Sequence, residues 1–271
     1  MDAFKPYLIK LKGFLGSRLF FKIMAAGLFA FLLYGTVMLM ISPRRTNIVT
    51  GATEEIKALT PEEMLLLKDR EGCDLMLQKA YLSSRMMRAS DDSIGLALDI
   101  SSGTIALEIK GVVLFERAII ESGLSPYFRA LDDTTLFRLT AKPYAVTAFR
   151  STIIKEPIVE KKAPKDTSEV ELSDFQIDTS YREPAFLVIE LDNGVEVVLK
   201  QYHGISFRDQ FKYGSFIFRE RMNRVGNVFH ALIRGRVPRY TPRITAELSA
   251  KDIRIIYRAL PQKPRISLRI I

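Results

Sequence analysis

From Ile23 to Ile41 the chain runs nineteen residues, IMAAGLFAFLLYGTVMLMI, without a charge. As a helix rising about 1.5 Å per residue this reaches about 28 Å, close to the ~30 Å hydrocarbon core of a bilayer. It has no polar face, as a helix covering a soluble core would have. It is longer than the ~7–15-residue apolar core of a secretory signal, and no small-residue cleavage pattern follows it. The run predicts an uncleaved transmembrane anchor over 23–41. Lys5, Lys10, Lys12, Arg18 and Lys22 precede it, and Arg44, Arg45 and Lys57 follow it. The excess before the span places residues 1–22 in the cytoplasm, the anchor in the cytoplasmic (inner) membrane, and the rest outside, periplasmic or extracellular.

Downstream the apolar spacing shortens. Residues 42–60 read as a linker that ends in a helix start: Thr60 as N-cap, Pro61 at the first helical position, and Glu63 closing a capping box. The spacing predicts a helical stalk over 61–90, broken near Gly72, with Leu67, Leu75, Leu82 and Met86 as its buried face. Residues 91–271 read as a β-rich domain. Ile94, Leu96, Leu98 and Ile100 alternate with polar or small residues, as do Ile105, Leu107 and Ile109; Val113 and Phe115 follow a second turn. Period-two alternation broken by Gly-containing turns predicts an antiparallel meander. A strand pair is expected across 135–150. Residues 155–183, rich in Lys, Glu and Pro, read as a long mobile loop. Asp192-Asn193-Gly194 then predicts a hairpin between strands at 186–190 and 195–199.

Phe218, Met222, Val225, Phe229 and Leu232 repeat at helical spacing and predict a helix over about 216–234, packed on the sheet and stopped by Gly235. Ser249 and Asp252 begin a short helix with Ile253, Ile256 and Leu260 inward. A final strand alternates Arg265, Ser267 and Arg269 against Ile266, Leu268 and Ile270, giving one buried face. The fold class is therefore α+β: an N-terminal transmembrane helix, a helical stalk, and a β-rich domain closing with a short helix and strand.

Composition narrows the chemistry. One cysteine, Cys73, excludes an intramolecular disulfide and a cysteine-based zinc site, and reads as an inert core or interface residue. Two histidines, His203 and His230, leave no histidine-rich metal centre. No phosphate-cradling Gly-rich loop occurs, so no metal and no cofactor is expected. Asp91-Asp92 and Asp132-Asp133 read as turn or cap positions. The net charge of +9 is uneven: residues 184–271 hold 16 basic and seven acidic residues, whereas 46–183 hold 17 and 23. Arg219, Arg221, Arg224, Arg234, Arg236, Arg239 and Arg243 form a basic stripe beside one acid, Glu220. Such a stripe binds an acidic surface, or else pairs with the acidic middle of the chain. An external domain disfavours nucleic acid as the partner.

DISSGTIALEIKGVVLFERAIIESG, residues 99–123, resembles the opening strands of L,D-transpeptidase catalytic domains, with Ser122-Gly123 where the family carries that pair. LSAKDIRIIYRALPQKPRISLRI, residues 248–270, is similar to the family's closing helix and strand. The two stretches cover under a fifth of the chain. The family's Ser/Thr-His-Gly-Cys-apolar-Arg stretch stands just before that helix. Here it reads Pro242-Arg243-Ile244-Thr245-Ala246-Glu247, with Thr245 in the cysteine's place, Arg243 in the histidine's and Glu247 in the arginine's. His203 is the one candidate base. The resemblance thus implies a β-rich transpeptidase-like domain whose nucleophile position is degenerate. The expected function is a membrane-anchored, non-catalytic envelope protein binding peptidoglycan or a protein partner. A cell-wall-modifying enzyme with an atypical site, and a subunit of a membrane complex with an unrelated β-rich domain, remain open.

Overall fold

A computed structural model describes residues 18–46, 60–155, 184–202 and 207–271. The chain divides into two compact units, one of 1–46 with 221–240 and one of 47–220 with 241–271.

The first unit holds α1 (Arg18–Arg45). Among the described residues, its Phe21–Arg44 stretch is the single helix long and apolar enough to cross a membrane. Residues 221–240 pack beside it. Phe229 meets Phe31 edge to face, with ring centroids 5.9 Å apart.

The second unit is mixed α+β around nine strands. It begins with α2 (Pro61–Leu66), whose capping box of Thr60 and Glu63 is formed, and α3 (Arg70–Ala89), capped by the Asp69 carboxylate. The helix breaks at 67–69, ahead of Gly72. There the chain folds back so closely that a Cβ on Gly72 would lie 2.5 Å from the Leu66 carbonyl oxygen.

The meander follows as β1 (Gly95–Asp99), β2 (Thr104–Ile109) and β3 (Val112–Ala118), all antiparallel. After β4 (Glu121–Leu124) and the single turn α4 (Pro126–Arg129) comes α5 (Asp133–Thr140). Thus 135–150 is a helix and one strand, β5 (Tyr144–Ser151), not a strand pair. The reason lies in Asp132: its side chain accepts from the Thr135 amide and starts a helix that buries Leu136 and Leu139.

The predicted hairpin is present as β6 (Phe186–Leu191) and β7 (Glu196–Gln201). Gly194 takes φ 81° in its turn, a conformation that suits glycine. The long helix α6 (Phe207–Ile233) starts earlier than its apolar period suggested. β8 (Arg243–Leu248), α7 (Ala250–Ala259) and β9 (Arg265–Arg269) complete the unit. Ser249 caps α7, and Ile253, Ile256 and Leu260 are buried as expected.

The strand order is β3-β2-β1-β9-β5-β6-β7-β8-β4. Two segments, the strand β5 and the run through β3 and β4, change partner and so join two halves of this array. β5 pairs first with β9 and then with β6. On the opposite margin, the run 112–124 pairs with β2 through Ala118, and from Ile120 onward with β8. Strands that switch sheets in this way make the corners of a two-layer β structure. The main core lies within it, with Leu96, Leu98, Ile105, Leu187, Ile189, Leu199, Ile244 and Leu268 among its members.

Helix α3 lies on the outer side of β1, β2 and β9 instead of standing apart as a stalk. Tyr81 packs with Ala97 and Ala106, and the Ser84 hydroxyl donates to Ser267 at 3.0 Å. Arg85 and Arg88 both reach Glu108. The helix therefore buries Met76, Leu77, Ala80, Tyr81, Ser84 and Arg88. Of the expected face only Leu67 is buried; Leu75, Leu82 and Met86 are exposed. β9 is consequently covered on both sides. Ser267 and Arg269 are buried as well as Ile266 and Leu268, and Arg269 pairs with Asp74 at 2.7 Å and Asp99 at 3.4 Å.

Candidate functional site

Strand alternation along β8 sends Ile244, Ala246 and Leu248 into the core and Arg243, Thr245 and Glu247 to the outer face. The three positions that the family resemblance singles out therefore share one surface. Register extends that surface across neighbouring strands. Parallel pairing sets Glu196, Val198 and Lys200 of β7 beside Arg243, Thr245 and Glu247 respectively. Antiparallel pairing sets Gly123 of β4 beside Thr245. Opposite β7, Glu190, Val188 and Phe186 continue the same rows.

Both charged flanks of Thr245 are already paired. On one side Arg243 donates to Glu196 through Nε, at 3.1 Å, and through Nη2. Glu196 also accepts from Arg150 Nη2 at 2.8 Å, and Arg150 reaches Glu190 as well. Arg150 Nε lies 3.0 Å from Glu220 of α6. On the other side Lys200 pairs with Glu247. Burial works to raise the Glu196 carboxyl, but the hydrogen bonds and charges of Arg243 and Arg150 outweigh it and hold the group below the usual carboxylate range. For Arg150, burial opposes the charge, yet Glu190, Glu196 and Glu220 together hold its guanidinium still more firmly protonated.

The middle of the surface is apolar. Phe186, Val188 and Val198 form a small cluster against which Phe216 of α6 packs. The Phe216 and Phe186 rings meet edge to face at 5.4 Å. Among the described residues of α6, Phe216 and Glu220 thus face the sheet. Phe218, Met222, Val225 and Phe229, expected on the sheet, are exposed, and only Leu232 of that set is buried. The apolar period of this helix thus leaves an exposed stripe.

The arginine stripe is distributed along the chain. Arg243 is bound into the Glu196 network of the second unit. Arg219 is exposed on α6 in the same unit, while Arg221, Arg224, Arg234, Arg236 and Arg239 are exposed within 221–240 of the first. His203 lies outside the described residues, as does the 156–183 part of the predicted loop. Asp91 pairs with Arg265, Asp92 with Lys110, and Asp132 caps α5. Cys73 is half-buried on α3. No cluster of three or more metal-ligating side chains occurs among the described residues.

Sequence reasoning named Arg243, Thr245 and Glu247 but missed Arg150, Glu190, Glu196 and Glu220. The hairpin register would have aligned Glu190 with Glu196; nothing local pointed to Glu220, which arrives on α6. Chemically the arrangement gives Thr245 a hydroxyl between two neutralised ion pairs, with Gly123 and Val198 beside it. Neither neighbour can take its proton. No family model, curated protein or solved structure matches the chain.

Proposed function

We propose that this chain is a single-pass, membrane-anchored and non-catalytic protein of the cell envelope. Its β-rich domain is a degenerate relative of L,D-transpeptidases that binds peptidoglycan or an envelope protein. Helix α1 is the anchor, with residues 1–22 cytoplasmic and the domain outside the inner membrane. The observation that carries the non-catalytic reading is the state of the Thr245 surface. An acyl-transfer nucleophile needs an adjacent base and an oxyanion-binding site. Here the positions flanking Thr245 carry Arg243 and Glu247, each held by an ion pair, and Phe216 packs on the apolar cluster to which the adjoining Val198 belongs.

The full-length protein in detergent is incubated with isolated peptidoglycan and with carbapenem-type acyl donors. It should sediment with the polymer or with an envelope protein, without cross-linking or cleaving stem peptides. Thr245→Ala should bind as the parent does. A covalent adduct mapped to Thr245 would overturn the non-catalytic reading and promote His203 to candidate base. Protease applied from the outer side should reach the 155–183 segment; cleavage only after rupture of the inner membrane overturns the orientation.

A further inference from the structure

Met222, Val225, Phe229 and Ile233 fall three or four positions apart on α6 and so line one stripe. Each is at least half exposed. Two observations say what covers them. The first is their neighbour. Beyond the Phe31–Phe229 contact, a Cβ on Gly35 would touch Leu232 at 3.4 Å. The Ser42 hydroxyl donates to the Pro238 carbonyl at 2.5 Å. Residue numbers rise together in these contacts, so 229–238 runs along the C-terminal half of α1, in the same direction. An apolar stripe on this segment is thus continuous with the apolar surface of α1, the one helix among the described residues suited to a bilayer. The second observation is charge. Residues 221–240 contain no Asp or Glu, and Arg221, Arg234, Arg236 and Arg239 are exposed. A basic helix with an apolar stripe partitions into the boundary between headgroups and acyl chains of an anionic bilayer.

We propose that residues 221–240 are a second lipid-contacting segment, specific for acidic headgroups. The proposal rests on reading α1 as membrane-spanning. The stripe faces acyl chains beside α1, with Phe229 at the level of Phe31. Arginine stems lie along it and carry their guanidinium groups out to the phosphates. The chain then touches the bilayer at two places almost two hundred residues apart in sequence, roughly 190 by count, and its fixation no longer depends on the anchor alone.

The chain has no tryptophan, so a single introduced one reports alone. Full-length Val225→Trp is reconstituted into vesicles of phosphatidylcholine and phosphatidylglycerol, with or without lipids brominated at positions along the length of the acyl chain. Met222→Trp provides a second reporter on the stripe should the first variant fail to fold. Leu32→Trp on α1 and Leu114→Trp on β3 are the references. The stripe reporters should be blue-shifted and quenched by the brominated lipid, as Leu32→Trp is, while Leu114→Trp stays unquenched. Removing phosphatidylglycerol, or adding Arg221→Glu with Arg234→Glu, should reduce stripe quenching, at about fivefold in lipid partition per arginine lost. Quenching of Leu32→Trp without quenching of either stripe reporter overturns the lipid contact and leaves the anchor standing. Absence of quenching at all three overturns both readings. Stripe quenching that ignores phosphatidylglycerol and charge reversal overturns the specificity for acidic headgroups.

Discussion

Helices α3 and α6 carry several arginines each, and each leaves an apolar stripe uncovered, but they direct their charge in opposite senses. On α3, Arg88 turns inward and shares Glu108 with Arg85 beneath the helix, where Arg88 is 4% exposed. On α6, Arg219, Arg221 and Arg234 stay outside, and the acid Glu220 turns inward. An arginine on an amphipathic helix is thus no label for a solvated face. Its destination depends on whether a buried carboxylate waits for it, and that carboxylate lies far away in sequence. Where one waits, the arginine is a structural member of the core; where none does, it remains available to an external acidic surface.

The largest expected break in this contrast is Arg88→Met. It leaves buried Glu108 with Arg85 alone, and removing one partner of a buried pair costs roughly 3 kcal/mol or more. Arg221→Met on α6 should stay within about 0.5 kcal/mol, as surface changes do. Denaturant midpoints at unchanged slope measure both; equal losses would dissolve the distinction. Next comes packing. Leu77→Ala, on the covered side of α3, should cost about 2–4 kcal/mol through the cavity it leaves. Leu75→Ala, at 65% exposure on the same helix, should cost under about 0.5 kcal/mol. Gly72→Ala should follow at about 1–3 kcal/mol, because its Cβ would overlap the Leu66 carbonyl and neither is the tip of a flexible chain.

The smallest effect is electrostatic and concerns Glu196 of β7, whose partner Arg150 also holds Glu220 of α6. Glu196 is held below its ordinary range in the folded protein. A depressed carboxylate contributes stability that is present above its unfolded value, about 4.3, and is lost as pH falls through the folded one. The acid limb of a stability–pH curve should therefore flatten in Glu196→Gln, with the curve above neutral pH lowered but parallel. An acid limb identical to the parent's would remove Glu196 from the linkage.

Elements announced by adjacent residues were legible in the sequence. Asp192-Asn193-Gly194 turns the chain by itself, and Thr60, Ser249 and the β1–β3 alternation act within a few positions. What escaped was decided at long range. Leu75, Leu82 and Met86 looked like the buried face of α3 because they are apolar. The face chosen instead includes Ser84 and Arg88, whose partners Ser267 and Glu108 come from β9 and β2. The same holds at the candidate site. Alternation alone aligned Arg243, Thr245 and Glu247, whereas Glu196 and Lys200 depended on a parallel register with β7, which no turn announces.

The parallel pairing of β1 with β9 has a consequence for biogenesis. Leu96 aligns with Ile266 and Asp99 with Arg269, across about 170 residues of chain. β9 sits fourth in the strand order, between β1 and β5, although the other eight strands among the described residues precede it. During translation the other described strands therefore emerge first and leave the place between β1 and β5 vacant. Closing so long a loop is slow, and until it closes, β1 and β5 each present an unpaired flank to the surroundings. A nascent chain already inserted through α1 would hold that half-built array near a crowded membrane. This fold accordingly places its greatest demand for chaperone protection late in synthesis, and a truncation before Arg265 removes an interior strand of the sheet instead of trimming its rim.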